Sequence, residues 1–366
     1  MTAKEKLSSL REVMKREQID AFIIYAADPH LSEYLPKEWQ ERKWLSGFTG
    51  SAGFVVVTQD KAGLWTDGRY FTQAPIELAG SGIDLFKEGV AGTPHYIDWI
   101  IEETSDNARV GVNALACSRA NWKELEEKLT AKNKNLVDTA LLDEVWSPRP
   151  AASTNPVFVQ DIKYAGQSVE DKLKNIREAL ASKNATAHII SSLDDVAWTL
   201  NLRGSDVACN PVFLGYIYLD ATSCKLFVDT NKLNDEANAA MKAANVEVLA
   251  YDSFFDFLRK VENENILIAP NSNQSIFHHL EDKNKIIEAV VPGNLMKAIK
   301  NEVELEGFRT VMVRDGVAMV KFLHWLTHEA AQQELNEYEI GKRLTAFRAE
   351  GENYVGDSFG SIIGYQ

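Results

Sequence analysis

The residues best placed to do chemistry fall in five stretches. Asp194 to Phe213 (DDVAWTLNLRGSDVACNPVF) sets Asn201, Arg203, Asp206 and Asn210 among apolar neighbours. Polar groups in such a setting are costly to bury without partners. The four either form a hydrogen-bonded network beneath a loop or line a cleft, and the sequence leaves both open. Trp65 to Phe71 (WTDGRYF) places Asp67 beside Arg69 where a strand ends. Asp67 can pair with Arg69 or cap a helix beginning near Tyr70; the alternative is a polar rim facing a substrate or a neighbouring domain. Gly47 to Gly53 (GFTGSAG) is glycine-rich like a phosphate loop. Its spacing is GxxGxxG and no Gly-Lys-Ser/Thr follows, so it reads as a flexible turn feeding a strand. His324 and His328 stand at i and i+4, a spacing that can present two imidazoles to zinc. Their order, HxxxHE, differs from HExxH and no third ligand is evident, so they read as a surface or interface face. His278 and His279 are adjacent, and their side chains diverge in any regular element. Nowhere do Asp, Glu and His cluster with metal-ligand spacing.

The elements that carry these residues repeat. Aligned without gaps, Lys6–Asp28 and Lys172–Asp194 are identical at eight of 23 positions: Lys6/Lys172, Leu7/Leu173, Arg11/Arg177, Glu12/Glu178, Ala21/Ala187, Ile23/Ile189, Ile24/Ile190 and Asp28/Asp194. Average composition gives roughly one or two by chance. Each copy reads as an amphipathic helix followed by a short apolar strand, Ala21–Tyr25 or Ala187–Ser191. Phe54–Asp67 and Tyr216–Asp229 both read as two strands around a turn. Trp198 and Leu202 suit one helical face. The sequence therefore predicts one α/β domain occurring twice. Two stretches read as linkers: the Pro-rich Ser147–Pro156 and the turn pair in Val291–Asn294. The expected divisions are 1–155, 156–294 and 295–366. The last part opens with Asn301 as a helix N-cap and Glu304 three residues on. A long helix follows, then a second helix from Asn336, a stop at Gly351, and a strand over Ser358–Ile363.

Composition narrows the class. The chain has 366 residues, 39 Lys and Arg against 53 Asp and Glu, and a net charge of −14. An acidic chain repels phosphate backbones, so nucleic acid is not an expected partner. Cys117, Cys209 and Cys224 include no CxxC pair, which fits a reducing compartment better than a disulfide scaffold. Met1 to Leu10 lacks a signal peptide's apolar core, and no window approaches the roughly 18 apolar residues of a membrane span. A soluble, cytoplasmic protein is expected.

The same segments resemble the aminopeptidase P family in its long, three-domain cytosolic form. The resemblance is carried by Ser46–Gly53, Trp65–Phe71, Leu193–Trp198, Asn201–Asp206 and Asn210–Phe213. It continues in Lys300–Glu302, Glu306–Arg309, Asp315–Ala318 and Ser358–Ile362. It implies two creatinase-N-terminal-like α/β domains, then the first helices and strand of a pita-bread catalytic domain that this chain leaves incomplete. The implied activity is release of an N-terminal residue from peptides with proline second. Two divalent metal ions, manganese by the family's habit, do this chemistry in an enzyme that is a homodimer at full length. The family's metal ligands lie beyond the segment resembling Ser358–Ile363, so none is expected in this chain, which is expected to be an inactive fragment alone. Asp67, Arg69, Asn201, Arg203, Asp206 and Asn210 remain as candidates for a substrate pocket or domain interface. The rival expectation is a non-catalytic peptide-binding or dimerisation module. Creatine amidinohydrolase, which shares the fold without metals, has a single N-terminal domain and fits the duplication less well.

Overall fold

The computed structural model describes residues 1–330 and 333–364. The first part runs α1 (Ala3–Arg16), β1 (Ala21–Ile24), α2 (Glu41–Ser46), β2 (Phe54–Thr58), β3 (Ala62–Thr66), α3 (Gln73–Glu77) and β4 (Asp84–Lys87). It continues through α4 (Tyr96–Glu103), β5 (Arg109–Val112), α5 (Arg119–Thr130), β6 (Asn135–Asp138) and α6 (Leu142–Val145). Next come β7 (Phe158–Val159), α7 (Ile162–Ala165), α8 (Val169–Ser182), β8 (Ala187–Ile190), α9 (Leu193–Thr199), β9 (Leu202–Arg203), β10 (Gly215–Asp220) and β11 (Cys224–Val228). Then follow α10 (Asp235–Ala243), β12 (Glu247–Ala250), α11 (Phe254–Leu258), β13 (Asn265–Ile268), α12 (Gln274–Leu280) and β14 (Lys285–Glu288). The described chain finishes with α13 (Pro292–Ala298), α14 (Glu302–His328) and α15 (Glu337–Ala349).

The first sheet has the order β4-β3-β2-β1-β5-β6 and the second β12-β11-β10-β8-β13-β14. Replacing each strand of the first by its counterpart in the second gives the same order, so the duplication read from residues 6–28 and 172–194 extends to whole sheets. The strand β2 is antiparallel to β1 and β3, and β10 is antiparallel to β11, while β5 runs parallel to β1 and β13 parallel to β8. The remaining pairs, β3 with β4, β5 with β6, β11 with β12 and β13 with β14, are parallel too.

Two compact units result. One comprises Met1–Ser153, Ala185–Ser192 and Asp252–Val290; the other comprises Thr154–Asn184, Leu193–Tyr251 and Val291–Gln366. In the first unit the period-2 alternation of β1 buries both faces of the sheet. Phe22 and Ile24 pack with Leu7, Leu10 and Met14 of α1, while Ala21 and Ile23 pack with Ile97 and Ile100 of α4 and Leu125 of α5. Helices on both faces explain why β1 is apolar throughout. In the second unit Phe322, Trp325 and Leu344 join α14 to α15. Both helices open with the expected capping box, Asn301 with Glu304 and Asn336 with Glu339.

Three expectations need correction. Ser358–Ile363 forms no strand; it is irregular and has no ladder partner among the described residues, and an extended segment becomes a strand only where another supplies its hydrogen bonds. Val291–Asn294 is not an interrupting turn, because Pro292 stands at the first position of α13, where its missing N–H costs nothing. Leu202 is not on a helix with Trp198. Helix α9 stops at Thr199, Asn201 turns the chain with φ 50°, and Leu202 lies in β9.

Candidate functional site

The two groups of candidate residues lie in different units, and each has its own geometry. Asp67 follows β3 and caps the short 3-10 turn Gly68–Tyr70, accepting from Arg69 N. Its carboxylate also takes Arg69 Nε at 2.9 Å and Nη2 at 2.7 Å. Hydrogen bonding to Arg69 holds the Asp67 carboxyl below the ordinary carboxylate range. The pair is solvent-facing, with the Arg69 side chain 65% exposed. The turn also tethers the glycine-rich loop, since Tyr70 Oη lies 2.6 Å from Ser51 Oγ.

The loop itself is tied down by hydrogen bonds rather than free, a correction to the flexible-turn reading. Arg42, buried beneath it, donates to the carbonyls of Gly50 and Gly53. Burial pushes its guanidinium down to about 10, offset in part by Tyr70 and Glu77. Glu77 accepts from the Thr49 amide and hydroxyl. Gly53 has φ 128°, and a Cβ there would lie 2.6 Å from the Trp65 carbonyl oxygen, so no side chain fits. The loop leads into β2 as expected; its Gly50 and Gly53 carbonyls accept from Arg42 and its Ala52 carbonyl from the Thr66 hydroxyl.

In the other unit Asn201, Arg203 and Asp206 are held in place by lysines and backbone. Asn201 Oδ1 accepts from Lys172 Nζ at 2.6 Å, and its Nδ2 donates to Gln167 O at 2.8 Å. Lys172, almost wholly buried on α8, also donates to Trp198 O at 2.8 Å and lies over the Trp198 ring. Burial and repulsion from Arg203 push its ammonium down to about 8, against attraction from Glu304. Arg203 donates to Ala197 O and Leu202 O, both at 2.9 Å, and burial lowers its pKa. Asp206 Oδ2 accepts from Leu214 N at 2.7 Å and from Lys232, while Oδ1 is buried without a hydrogen-bond partner. Asn210 is exposed on the turn bridged by Val207 and Asn210. The structure thus joins Asn201 to Lys172 and Asp206 to Lys232, and leaves Asn210 at the surface. The lysines were not singled out as site residues, although Lys172 did appear as an identity with Lys6. That repeat was a usable signal: Lys6 Nζ likewise donates to a tryptophan carbonyl, Trp44 O, and lies over the Trp44 ring.

The histidines do not form a metal centre. His324 and His328 stack at 4.5 Å between ring centroids, and His328 Nδ1 donates to His324 O at 2.9 Å. His278 packs on Trp122 and His279 on Phe255, so the adjacent pair diverges. Among the described residues no group of three or more His, Cys, Asp or Glu could hold a metal ion. The described donors therefore do not fit a two-metal site, and no catalytic step runs through a metal bound to them.

The chain as a whole matches known proteins closely. The creatinase/prolidase N-terminal domain family matches residues 6–145 and again residues 148–304. A probable Xaa-Pro aminopeptidase P of Pyricularia oryzae is 36% identical over 99% of this chain and 62% of its own length. Xaa-Pro aminopeptidase 1 of Dictyostelium discoideum is 34% identical over 98% of this chain and 59% of its own. The crystal structure of X-prolyl aminopeptidase from Caenorhabditis elegans, described as a cytosolic enzyme with a di-nuclear active site, superposes with a TM-score of 0.91 at 31% identity. That match covers 98% of this chain and 62% of the other. The fold is thus two tandem creatinase N-terminal domains. The chain belongs to the Xaa-Pro aminopeptidase P family, and spans about three-fifths of the length of the relatives it matches. No helix among the described residues is long and apolar enough to cross a membrane.

Proposed function

We propose that the protein to which these 366 residues belong is a dinuclear metallo-aminopeptidase that releases the N-terminal residue from peptides with proline in second position. The observation that carries this reading is the C. elegans enzyme's superposition over 98% of the chain. A proline nitrogen has no N–H and its ring fixes φ. A site for such peptides gains by fixing the substrate rigidly rather than by hydrogen bonding that nitrogen. In this reading the whole enzyme would hold two metal ions, manganese, and the chemistry they would supply is activation of a water and polarisation of the scissile carbonyl; none of the described residues is assigned to hold them. The protein works in the cytoplasm as a homodimer.

Within that enzyme the chain's divisions are 1–155 and 156–294 as creatinase-like domains and 295–366 as the opening of the catalytic domain. The task of these residues is positioning. Asp67, Arg69 and Asn210 reach solvent and serve as rim contacts to peptide or to a neighbouring domain. Asn201, Arg203 and Asp206 fix the backbone of their loop from beneath. The 366 residues alone do not turn over substrate. The test is hydrolysis of an Xaa-Pro peptide by the 366-residue chain with added manganese, beside the native enzyme carrying this sequence. Turnover by the native enzyme alone supports the reading; turnover by the isolated chain, or by neither, contradicts it.

A further inference from the structure

In open α/β sheets, ligands settle outside the carboxyl ends of two adjacent parallel strands whose connections leave in opposite directions. In the first sheet that place lies between β1 and β5, because the chain leaves β1 toward β2 and leaves β5 toward β6 on the other side. A cavity of about 350 Å³ opens there. Its walls include Tyr25 directly after β1, Ser51 and Phe54 from the glycine loop and β2, Glu88 directly after β4, Ser32, and Asn121 on α5. The Tyr25 and Phe54 rings stand 5.7 Å apart, and the Tyr25 hydroxyl is already engaged with Tyr96 at 2.9 Å. The Ser32 hydroxyl is buried and has no hydrogen-bond partner.

The second copy of the domain shows what such a crevice accepts. Outside the ends of β8 and β13, the chain's own Pro29–His30 turn is seated. His30 Nδ1 donates to Ser191 O at 2.8 Å, and Asn273, the N-cap of α12, donates its side-chain amide to Pro29 O. Ser191 is the counterpart of Tyr25, and the α5 N-cap, Ser118, is the counterpart of Asn273. One crevice is thus occupied by a peptide turn while its twin is open, and the walls of the open one also include a carboxylate, Glu88, and two aromatic side chains, Tyr25 and Phe54. A carboxylate with aromatic faces is suited to an ammonium group.

We propose that the β1–β5 crevice binds the amino end of short peptides, with the ammonium on Glu88 against Tyr25 and Phe54 and the following backbone reaching the Ser32 and Ser51 hydroxyls. The test is titration of the ¹⁵N-labelled 366-residue chain, without metal, with trialanine and with N-acetyl-trialanine, read by amide chemical shifts. Saturable shifts around Tyr25, Ser51, Glu88 and Asn121 are expected. N-acetylation and Glu88→Gln should each weaken binding by about tenfold, since each removes one side of a charge-assisted contact. Glu88 is exposed, so the variant should melt like the parent, which separates lost binding from lost folding. No saturable shift by about 10 mM, or equal binding of the acetylated peptide, or an unaltered Glu88→Gln titration overturns the proposal. Binding is read without turnover, so failure here leaves the peptidase reading intact, and an inactive enzyme leaves this site intact.

Discussion

Lys232 and Asp206 are an ion pair with side chains only 3% and 0% exposed. Breaking such a pair strands a charge in a poorly polarisable interior. Lys232→Met should destabilise the unit by about 3–5 kcal/mol, and combining it with Asp206→Asn should restore most of that loss, because no buried charge is then unpaired. Chemical denaturation of the two single variants and the double variant measures the coupling; additive losses would contradict it. His188 offers a pH test. It is fully buried on β8 with Nδ1 donating to Leu267 O at 2.8 Å, and burial pushes its pKa down to about 4 despite that bond. The folded state therefore holds it neutral where the unfolded chain takes up a proton. Its contribution to stability is complete above about pH 6.5 and is lost as pH falls toward 4, amounting to about 3 kcal/mol. His188→Gln should flatten that part of the pH–stability curve, and a curve of unaltered slope would refute the assignment. At this scale the sequence made Asn201, Arg203 and Asp206 visible as polar residues in apolar company. Lys232 was not, since it lies 26 positions from Asp206 and a lysine in isolation reads as surface; Lys172, 29 positions from Asn201, was signalled only by its repeat in Lys6.

At the scale of elements, local chemistry was the more legible part. Asn301 and Glu304 marked the start of α14 from sequence, and the capping box is formed. The Asn301 side chain does more than cap: its Nδ2 donates to Ala165 O at 2.8 Å, joining α7 to the root of α14. Gly166 follows with φ 67°, and a Cβ there would stand 2.4 Å from Asn301 Oδ1. Asn301→Ala should cost about 1 kcal/mol for the cap, and Gly166→Ala a comparable amount or more, because a side chain is strained at that φ and strikes the cap. Thermal melts of both variants check this; a neutral Gly166→Ala would show that the joint is loose. The duplicated positions share roles as well. Arg11 Nε donates to Thr58 O at the end of β2, and Arg177 Nε to Asp220 O at the end of β10. What the sequence misjudged were elements set by their surroundings. Ser358–Ile363 has the composition of a strand but no pairing neighbour among the described residues, and Leu202 follows a left-handed residue that side-chain periodicity does not reveal.

For the whole molecule, the repeat was legible because two sheets of one topology need the same helix, strand and hairpin in the same order. The division into compact units was not. Ala185–Ser192 and Asp252–Val290 belong with the first 153 residues, a grouping made by long-range contacts rather than by linker composition. The family's chemistry is equally beyond local reading, since no described group of residues forms a metal site. The role proposed for this chain is positioning within a metal-dependent enzyme. The most direct measurement is hydrolysis of a matched pair of peptides, Xaa-Pro and Xaa-Ala, by the native protein carrying this sequence, before and after metal chelation. Cleavage of the Xaa-Pro peptide alone, abolished by the chelator and restored by manganese, is the predicted result; equal cleavage of both peptides, or activity indifferent to chelation, would contradict it.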